Sequence, residues 1–138
     1  MNMMDIQAFL EYFHRTDALS REMSIHVRSL SAEGAEAEME ISEHKKNYMG
    51  MLHGGAFFTI ADVVAGLCVS YYGEQCVTLS SNLNYLKAAT SGKIIARSSL
   101  SRRGRKICVC EIRIVSEEEV LLCTGTFTMY MTGIPIKF

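Results

Sequence analysis

One acidic residue stands out because it lies inside an apolar segment. Asp62 is enclosed by isoleucine, alanine and valine (Ile60–Val64) in a stretch from Gly54 to Tyr72 whose length and apolar character predict a helix. A carboxylate in such surroundings is destabilising unless a polar group faces it. Asp62 is therefore either a structural residue, which caps a loop or pairs with a basic side chain, or a general base or nucleophile lining a cleft. Its neighbours alone favour neither interpretation.

The start of the same segment favours the chemical interpretation. His53-Gly54-Gly55 stands where the first amide N–H groups of the helix lack internal partners and carry partial positive charge. Glycine lets a ligand approach the backbone closely. Amides placed in this way can stabilise an oxyanion, an effect of about 2.7–4 kcal/mol per donor. The alternative is that the glycines only permit a tight turn and that His53 is a hydrogen-bonded loop residue.

The elements that position these residues follow from hydrophobic periodicity. An apolar stripe predicts a short N-terminal packing or lid helix capped by Asp5, and alternation over 24–41 predicts a hairpin with a solvated acidic face. Four further strands, at about 76–87, 93–101, 106–115 and 120–131, are joined by short polar turns and predict an antiparallel meander. A helix that is apolar nearly all round must be buried. The predicted class is α+β, a curved antiparallel sheet of about six strands around one long central helix.

Composition restricts the class of protein and its partners. The 138 residues, 49% of them hydrophobic, predict a single domain over 1–138, in which 1–23 form the N-terminal helix and lead-in. A net charge of −1 gives no general attraction to nucleic acid or to an anionic membrane. Met1–Asp5 lacks the features of a signal peptide, and five unpatterned cysteines suit a reducing compartment. We expect a cytoplasmic protein that has no nucleic-acid or membrane partner and no metal site.

The spacing of the candidate residues resembles that of a known family. Asn47, Gly50, His53-Gly54-Gly55 and Asp62 are arranged as in the PaaI-like hotdog acyl-CoA thioesterases, and Asn82-Leu-Asn-Tyr85-Leu and Gly125-Thr-Phe127 are similar too. The resemblance covers about residues 24–131, with Lys87-Ala-Ala89 in place of the proline usual in that turn. It implies the hotdog fold and a homodimer or dimer of dimers (a homotetramer). It also implies an active site between subunits, where Asp62 of one protomer faces the His53–Gly55 turn of the other.

The resemblance also implies a role for each site residue. The Gly55 N–H would hold the thioester oxygen, while Asp62 would activate water or attack directly. Asn47 would help to place the carbonyl or the water, and His53 would belong to the same turn. A strand hydroxyl would orient the water, for which Thr78 fits best and Ser80 is the alternative. Contacts with the substrate are expected from Gly54, Phe58 and Asn82.

A basic cluster is the candidate site for the phosphates of coenzyme A. Arg102, Arg103, Arg105 and Lys106 place four cations in five residues around Gly104. They form either a solvated hairpin tip or a phosphate clamp, for which arginine is well suited.

Three functions remain open from the sequence. The first is an acyl-CoA thioesterase acting on an aryl- or medium-chain thioester without any cofactor. The second is a hotdog module that binds an acyl thioester without hydrolysing it. The third, a hotdog dehydratase, is poorer, because no second helix histidine lies near Asp62.

Overall fold

The computed structural model describes residues 4–138, so residues 1–3 of the predicted lead-in lie outside the described residues. Within this range two helices come first, α1 (Ile6–Thr16) and α2 (Ala18–Glu22), followed by strands β1 (His26–Ser31) and β2 (Gly34–Glu40). A 3₁₀ turn (Glu43–Lys45) leads to the long helix α3 (Gly54–Ser70). Four strands complete the chain: β3 (Glu74–Tyr85), β4 (Lys93–Arg103), β5 (Ile107–Ser116) and β6 (Leu121–Pro135).

Helix α3 lies on the concave side of a single antiparallel sheet and contacts all six strands found between residues 4 and 138. One face of α3 is completely buried against the sheet, including Ile60, Ala61, Val64 and Ala65. The predicted architecture, a curved sheet around a central helix, is confirmed. In the described part of the chain, no helix is both long enough and apolar enough to cross a membrane.

The predicted four-strand meander is wrong in one respect, the position of β3. The strand order is β1-β2-β4-β5-β6-β3, so only β4, β5 and β6 form a meander. Strand β4 pairs with β2 on one side and with β5 on the other, which leaves no edge for β3. The chain therefore crosses over residues 86–92, and β3 pairs with β6 at the outer edge of the sheet.

A glycine permits the close approach of β3 and β6. A Cβ atom at Gly125 would lie 2.3 Å from the backbone oxygen of Asn82, far inside contact distance. The register between these strands shifts between Thr78 and Ser80, where a β-bulge interrupts the alternation of side chains. The absence of a side chain at Gly125 thus lets β3 pair closely with β6 at the edge of the sheet.

The N-terminal segment forms two helices where one was predicted. Asp5 caps α1 as expected, because its Oδ1 accepts the N–H of Ala8 at 3.1 Å. His14 Nε2 accepts the backbone N–H of Val27 at 2.9 Å, which ties α1 to the sheet edge. The ring of Phe9 packs on that of Phe138 with centroids 5.6 Å apart. These contacts fix α1 against the body of the fold.

Candidate active site

Asp62 lies on the side of α3 that the sheet leaves open. Its side chain is half-buried, and its Oδ1 accepts the hydroxyl of Thr78 on β3 at 2.6 Å. Among residues 4–138, no basic side chain forms an ion pair with this carboxylate. Because the side chain is only half-buried, the chain does not enclose Asp62 in apolar surroundings as expected. A structural ion pair with Asp62 is excluded within the described residues.

The carboxylate opens into a cleft of about 410 Å³, which we call the Asp62 cleft. Its floor is α3, and its opposite wall is formed by α1 and α2. Phe58, predicted to contact the substrate, belongs to the floor, and its ring is held against Phe127 with centroids 5.2 Å apart. The lining residues of the wall are Phe9, Phe13, Asp17, Leu19 and Ser20.

The start of α3 lies where the sequence predicts it, but one of its first N–H groups has a partner within the chain. Helix α3 begins at Gly54, and His53 is its N-cap residue. The imidazole Nδ1 of His53 accepts the N–H of Gly55 at 2.9 Å. The amide proposed for the thioester oxygen thus already has an acceptor within its own chain, and it must exchange this acceptor to bind a ligand.

Asn47 organises the loop before α3. Its Oδ1 accepts the backbone N–H groups of Met49 at 2.9 Å and of Met51 at 3.2 Å. Because the oxygen is used in this way, contact with a substrate would fall to the side-chain Nδ2. Asn47 and Gly54 line a second cleft of about 290 Å³, which we call the Asn47 cleft.

Tyr85 is a residue of this region to which sequence reasoning assigned no role. Its hydroxyl donates to the Gly54 carbonyl oxygen at 3.1 Å, and its ring meets Phe57 edge-on with centroids 6.0 Å apart. It therefore supports the first turn of α3 from β3. The available signal was its place in the motif Asn82–Leu86, which was noted only for its resemblance.

The two clefts have no lining residue in common. Asp62 stands about two turns along α3 from Gly55, a rise of roughly 10 Å. One chain therefore carries both halves of the expected site without bringing them together.

The other strand candidates separate at the β-bulge. Thr78 contacts Asp62, whereas the bulge removes the alternation that made Ser80 an equivalent candidate. Asn82 lies exposed on β3, paired with Thr126 of β6, and lines neither the Asp62 cleft nor the Asn47 cleft.

The basic cluster lies at the opposite end of α3. Arg103 and Arg105 line a cleft of about 340 Å³ together with Tyr72 and Glu74, just beyond the last turn of α3. The guanidinium of Arg103 stacks on the ring of Tyr72, 3.5 Å from its centroid. None of the four residues of the basic cluster lines the Asp62 cleft of the same chain, and this includes Arg102 and Lys106.

A thiol also faces the Asp62 cleft. Cys76 is half-buried, and burial raises the pKa of its thiol to about 11. The group therefore stays protonated near neutral pH, where a thiol is a poor nucleophile.

Comparison with known proteins identifies the family. Residues 49–123 match the family described as the Thioesterase superfamily. A hypothetical thioesterase protein of Streptococcus pneumoniae TIGR4, solved with coenzyme A, is 31% identical with a TM-score of 0.77, covering 81% of this chain and 91% of that one. The PaaI protein of the Escherichia coli phenylacetic acid degradation operon is 20% identical with a TM-score of 0.88, covering 92% and 93%. The latter likeness supports the hotdog fold alone.

A relative of assigned activity is similar in sequence. The 1,4-dihydroxy-2-naphthoyl-CoA hydrolase of Listeria monocytogenes is 29% identical over 114 residues, covering 80% of this chain and 93% of that protein.

Proposed function

The chain belongs to the thioesterase superfamily and is a thioester hydrolase, and from this premise we propose that it hydrolyses an aryl- or medium-chain acyl-CoA to the free acid and CoA. The observation that carries the proposal is the carboxylate of Asp62. It has no cationic partner among the described residues, it is held by the hydroxyl of Thr78, and it faces an open cleft. Such a group is placed to take a proton from water or to attack a carbonyl carbon.

As a general base, Asp62 would take a proton from a water molecule as its oxygen attacks the thioester carbon. The carbonyl oxygen becomes an oxyanion, and the C–S bond then breaks as this oxygen reforms the carbonyl. The sulfur of CoA leaves as a thiolate and takes the proton back from Asp62. If Asp62 attacks instead, an acyl anhydride forms and water hydrolyses it. In a single turnover in ¹⁸O-labelled water, label in the Asp62 carboxyl group would identify the second route, with water attacking the aspartyl carbon of the anhydride. Attack of water at the acyl carbon would place the label in the acid product, as the first route does.

The oxyanion donor is proposed to come from a second copy of the chain. Strand β3 is an edge strand, and large apolar side chains are exposed on both of its faces: Val77 (55%), Leu79 (59%) and Tyr85 (52%). Unpaired strand edges are ready to pair with another chain. Pairing there would bring the Gly55 turn of the second copy toward Asp62, which one chain alone does not do.

The amide at Gly55 would work by exchange of its acceptor. In the free chain its N–H is bound to His53 Nδ1 at 2.9 Å. A thioester oxygen that develops negative charge is a stronger acceptor than a neutral imidazole. The amide would therefore be most favourably bound in the transition state, as catalysis requires.

The Streptococcus pneumoniae relative supports both the ligand and the catalytic pair. That protein was solved with coenzyme A. It was also solved with one aspartate and with one threonine replaced by alanine, at positions 16 residues apart. Asp62 and Thr78 have the same separation.

The basic cluster is proposed to bind the phosphates of CoA. Because it lies beyond the end of α3, far from Asp62 of the same chain, it would serve the site of a neighbouring copy. The stacking of Arg103 on Tyr72 holds one guanidinium in place for this purpose.

A thiol-release screen over aryl and straight-chain acyl-CoAs tests the proposal. We expect release of CoA from at least one class, and a loss of about 10²–10⁴-fold when Asp62 is replaced by asparagine. Tight acyl-CoA binding measured by calorimetry, with no thiol released, would instead support the non-catalytic binding module.

A further inference from the structure

The wall of the Asp62 cleft comes from a part of the chain to which the family motif assigns nothing. Phe9 and Phe13 of α1, with Leu19 of α2, face the open side of α3. The wall is anchored by the His14–Val27 hydrogen bond, by the packing of Phe9 on Phe138, and by a second backbone bond in which Ile25 N–H donates to Ser20 O at 2.8 Å. The cleft is thus formed without a ligand.

The character of the cleft changes along α3. Between Asp62 and Ser70 the floor carries no polar side chain and is formed by Val63, Gly66 and Leu67. At Ser70 it becomes polar, and Ser20 and Asp17 of the opposite wall also line the cleft. Asp62 and Ser70 are eight residues apart, a rise of roughly 12 Å. An apolar group that starts at the Asp62 carboxylate would therefore find apolar contacts over about this length. Beyond Ser70 it would meet polar side chains.

A glycine in the floor indicates that this space is kept open. Gly66 lies in the middle of α3, where glycine weakens a helix relative to alanine. The fold does not need it, because a Cβ atom at this position would meet only Met129 Cε, at 4.0 Å, an ordinary van der Waals contact. Glycine therefore lowers the stability of the helix at a position on the cleft where a methyl group would fit. This points to a ligand that lies over Gly66.

We infer that the Asp62 cleft is the acyl subsite, that the acyl group lies along α3 from Asp62 past Gly66 toward Ser70, and that Phe13 together with Gly66 determines the size of the acyl group. The inference rests on the proposed function and deepens it. The substrates are apolar acyl groups no longer than about two helical turns, a single aromatic ring or a chain of medium length. Phe13 is the determinant on the wall because it is only partly buried and faces the cleft, whereas Phe9 belongs to the core.

The test is the profile of kcat/KM against acyl size for Phe13→Ala, Phe13→Trp and Gly66→Ala. We expect Phe13→Ala to raise the ratio of long-acyl to short-acyl kcat/KM by about tenfold or more, and Phe13→Trp and Gly66→Ala to lower it by a similar factor. Gly66→Ala should at the same time raise the unfolding temperature. The matched control is Tyr12→Leu, which removes an aromatic ring of α1 outside the cleft, keeps a large apolar side chain against Phe138 and should leave the profile unchanged.

Equal changes for all acyl groups in the Phe13 variants would overturn the inference, as would a shift of the profile in Tyr12→Leu of the same size. Thermal unfolding of each variant separates these outcomes from loss of the fold, and Phe13→Leu serves if Phe13→Ala is unfolded.

A binding measurement keeps the inference separate from the proposed function. The chain contains no tryptophan, so Phe13→Trp introduces a single fluorophore into the wall. We expect its emission to shift on addition of a short-chain acyl-CoA, which the narrowed cleft still admits, and not on addition of CoA alone. If the wild-type protein releases no thiol but this shift occurs, the proposed function fails and the acyl subsite stands. An emission spectrum unchanged at saturating acyl-CoA would overturn the subsite.

Discussion

Replacement of Asp62 by asparagine tests the proposed chemistry most directly. Variants of Thr78 then show how much of the turnover depends on its hydrogen bond to Asp62. The asparagine keeps the size of the side chain and can still accept the Thr78 hydroxyl, but it cannot take a proton. Loss of a general base reduces turnover by about 10²–10⁴-fold. Removal of the Thr78 hydroxyl by valine deletes one hydrogen bond to a charged group, which contributes about 1.5–3 kcal/mol. Both side chains are partly open to water in the single chain, so we take the lower end, a factor of about ten.

The double variant decides what Thr78 does. If the hydroxyl acts only by positioning the carboxylate, Asp62→Asn with Thr78→Val should be no slower than Asp62→Asn alone, because the group that was positioned is already absent. Thr78→Val alone should lower kcat with little change in KM, and Thr78→Ser should restore most of the rate. A full multiplicative loss in the double variant would show that Thr78 contacts the water or the substrate itself.

The matched control is the other carboxylate of the same cleft. Asp17 accepts the hydroxyl of Ser20 and stands on the opposite wall. Asp17→Asn should retain turnover within a few-fold, measured by thiol release on protein whose unfolding temperature has been checked. Wild-type rates in Asp62→Asn would refute the reasoning for the whole site.

Three further predictions concern Cys76, His14 and the basic cluster. Burial raises the pKa of the Cys76 thiol to about 11, so Cys76→Ala should keep its activity. For the same reason the rate of alkylation of Cys76, followed by mass spectrometry, should still increase above pH 9. A rate that levels off near pH 8 would contradict this. Burial, and then the neighbouring His26, lower the pKa of His14 below the 6.5 of the unfolded chain, so the unfolded state binds the extra proton and stability should fall as pH drops below about 6.5. Thermal unfolding between pH 8 and 5 should show this dependence in the wild type and less of it in His14→Gln. Replacing all four residues of the basic cluster (Arg102, Arg103, Arg105 and Lys106) by glutamine should raise KM for acyl-CoA but not for the same acyl group on a small thiol without phosphates; equal effects on both substrates would exclude a phosphate clamp.

The parts of the fold that depend on local pattern were predictable from the sequence. The length and apolar character of α3, its start at Gly54 and the hairpin of β1 and β2 are properties of short segments. The position of β3 is not, because it depends on which strand edges remain free after β4 has paired on both sides. No turn composition records that competition, because a short connection predicts only that consecutive strands are neighbours.

The surroundings of Asp62 show a similar limit. The sequence around it is apolar, yet Thr59, Asp62, Gly66 and Ser70 recur at intervals of three or four residues and mark a stripe of polar and small residues along the helix. This stripe is the side that the sheet leaves uncovered, and its spacing was available in the sequence. The bulge that separates Thr78 from Ser80 was not, since a period of two cannot show where an extra residue is inserted.

The amphipathic stripe of α1 was likewise only half informative. Its apolar positions predict that one face is buried, but they do not say against which element. The structure places Phe13 opposite α3, so the helix predicted to be a packing or lid helix forms one wall of the cleft.

The edge position of β3 has a consequence for how the protein is handled. The strand that carries Thr78 is also the strand left open to a second copy, so association and turnover depend on the same backbone. Under the proposed arrangement an isolated chain is complete as a fold and inert as a catalyst. Specific activity should then decline on dilution and recover on concentration, and rates assayed at nanomolar enzyme would report the dissociation of subunits as much as their chemistry.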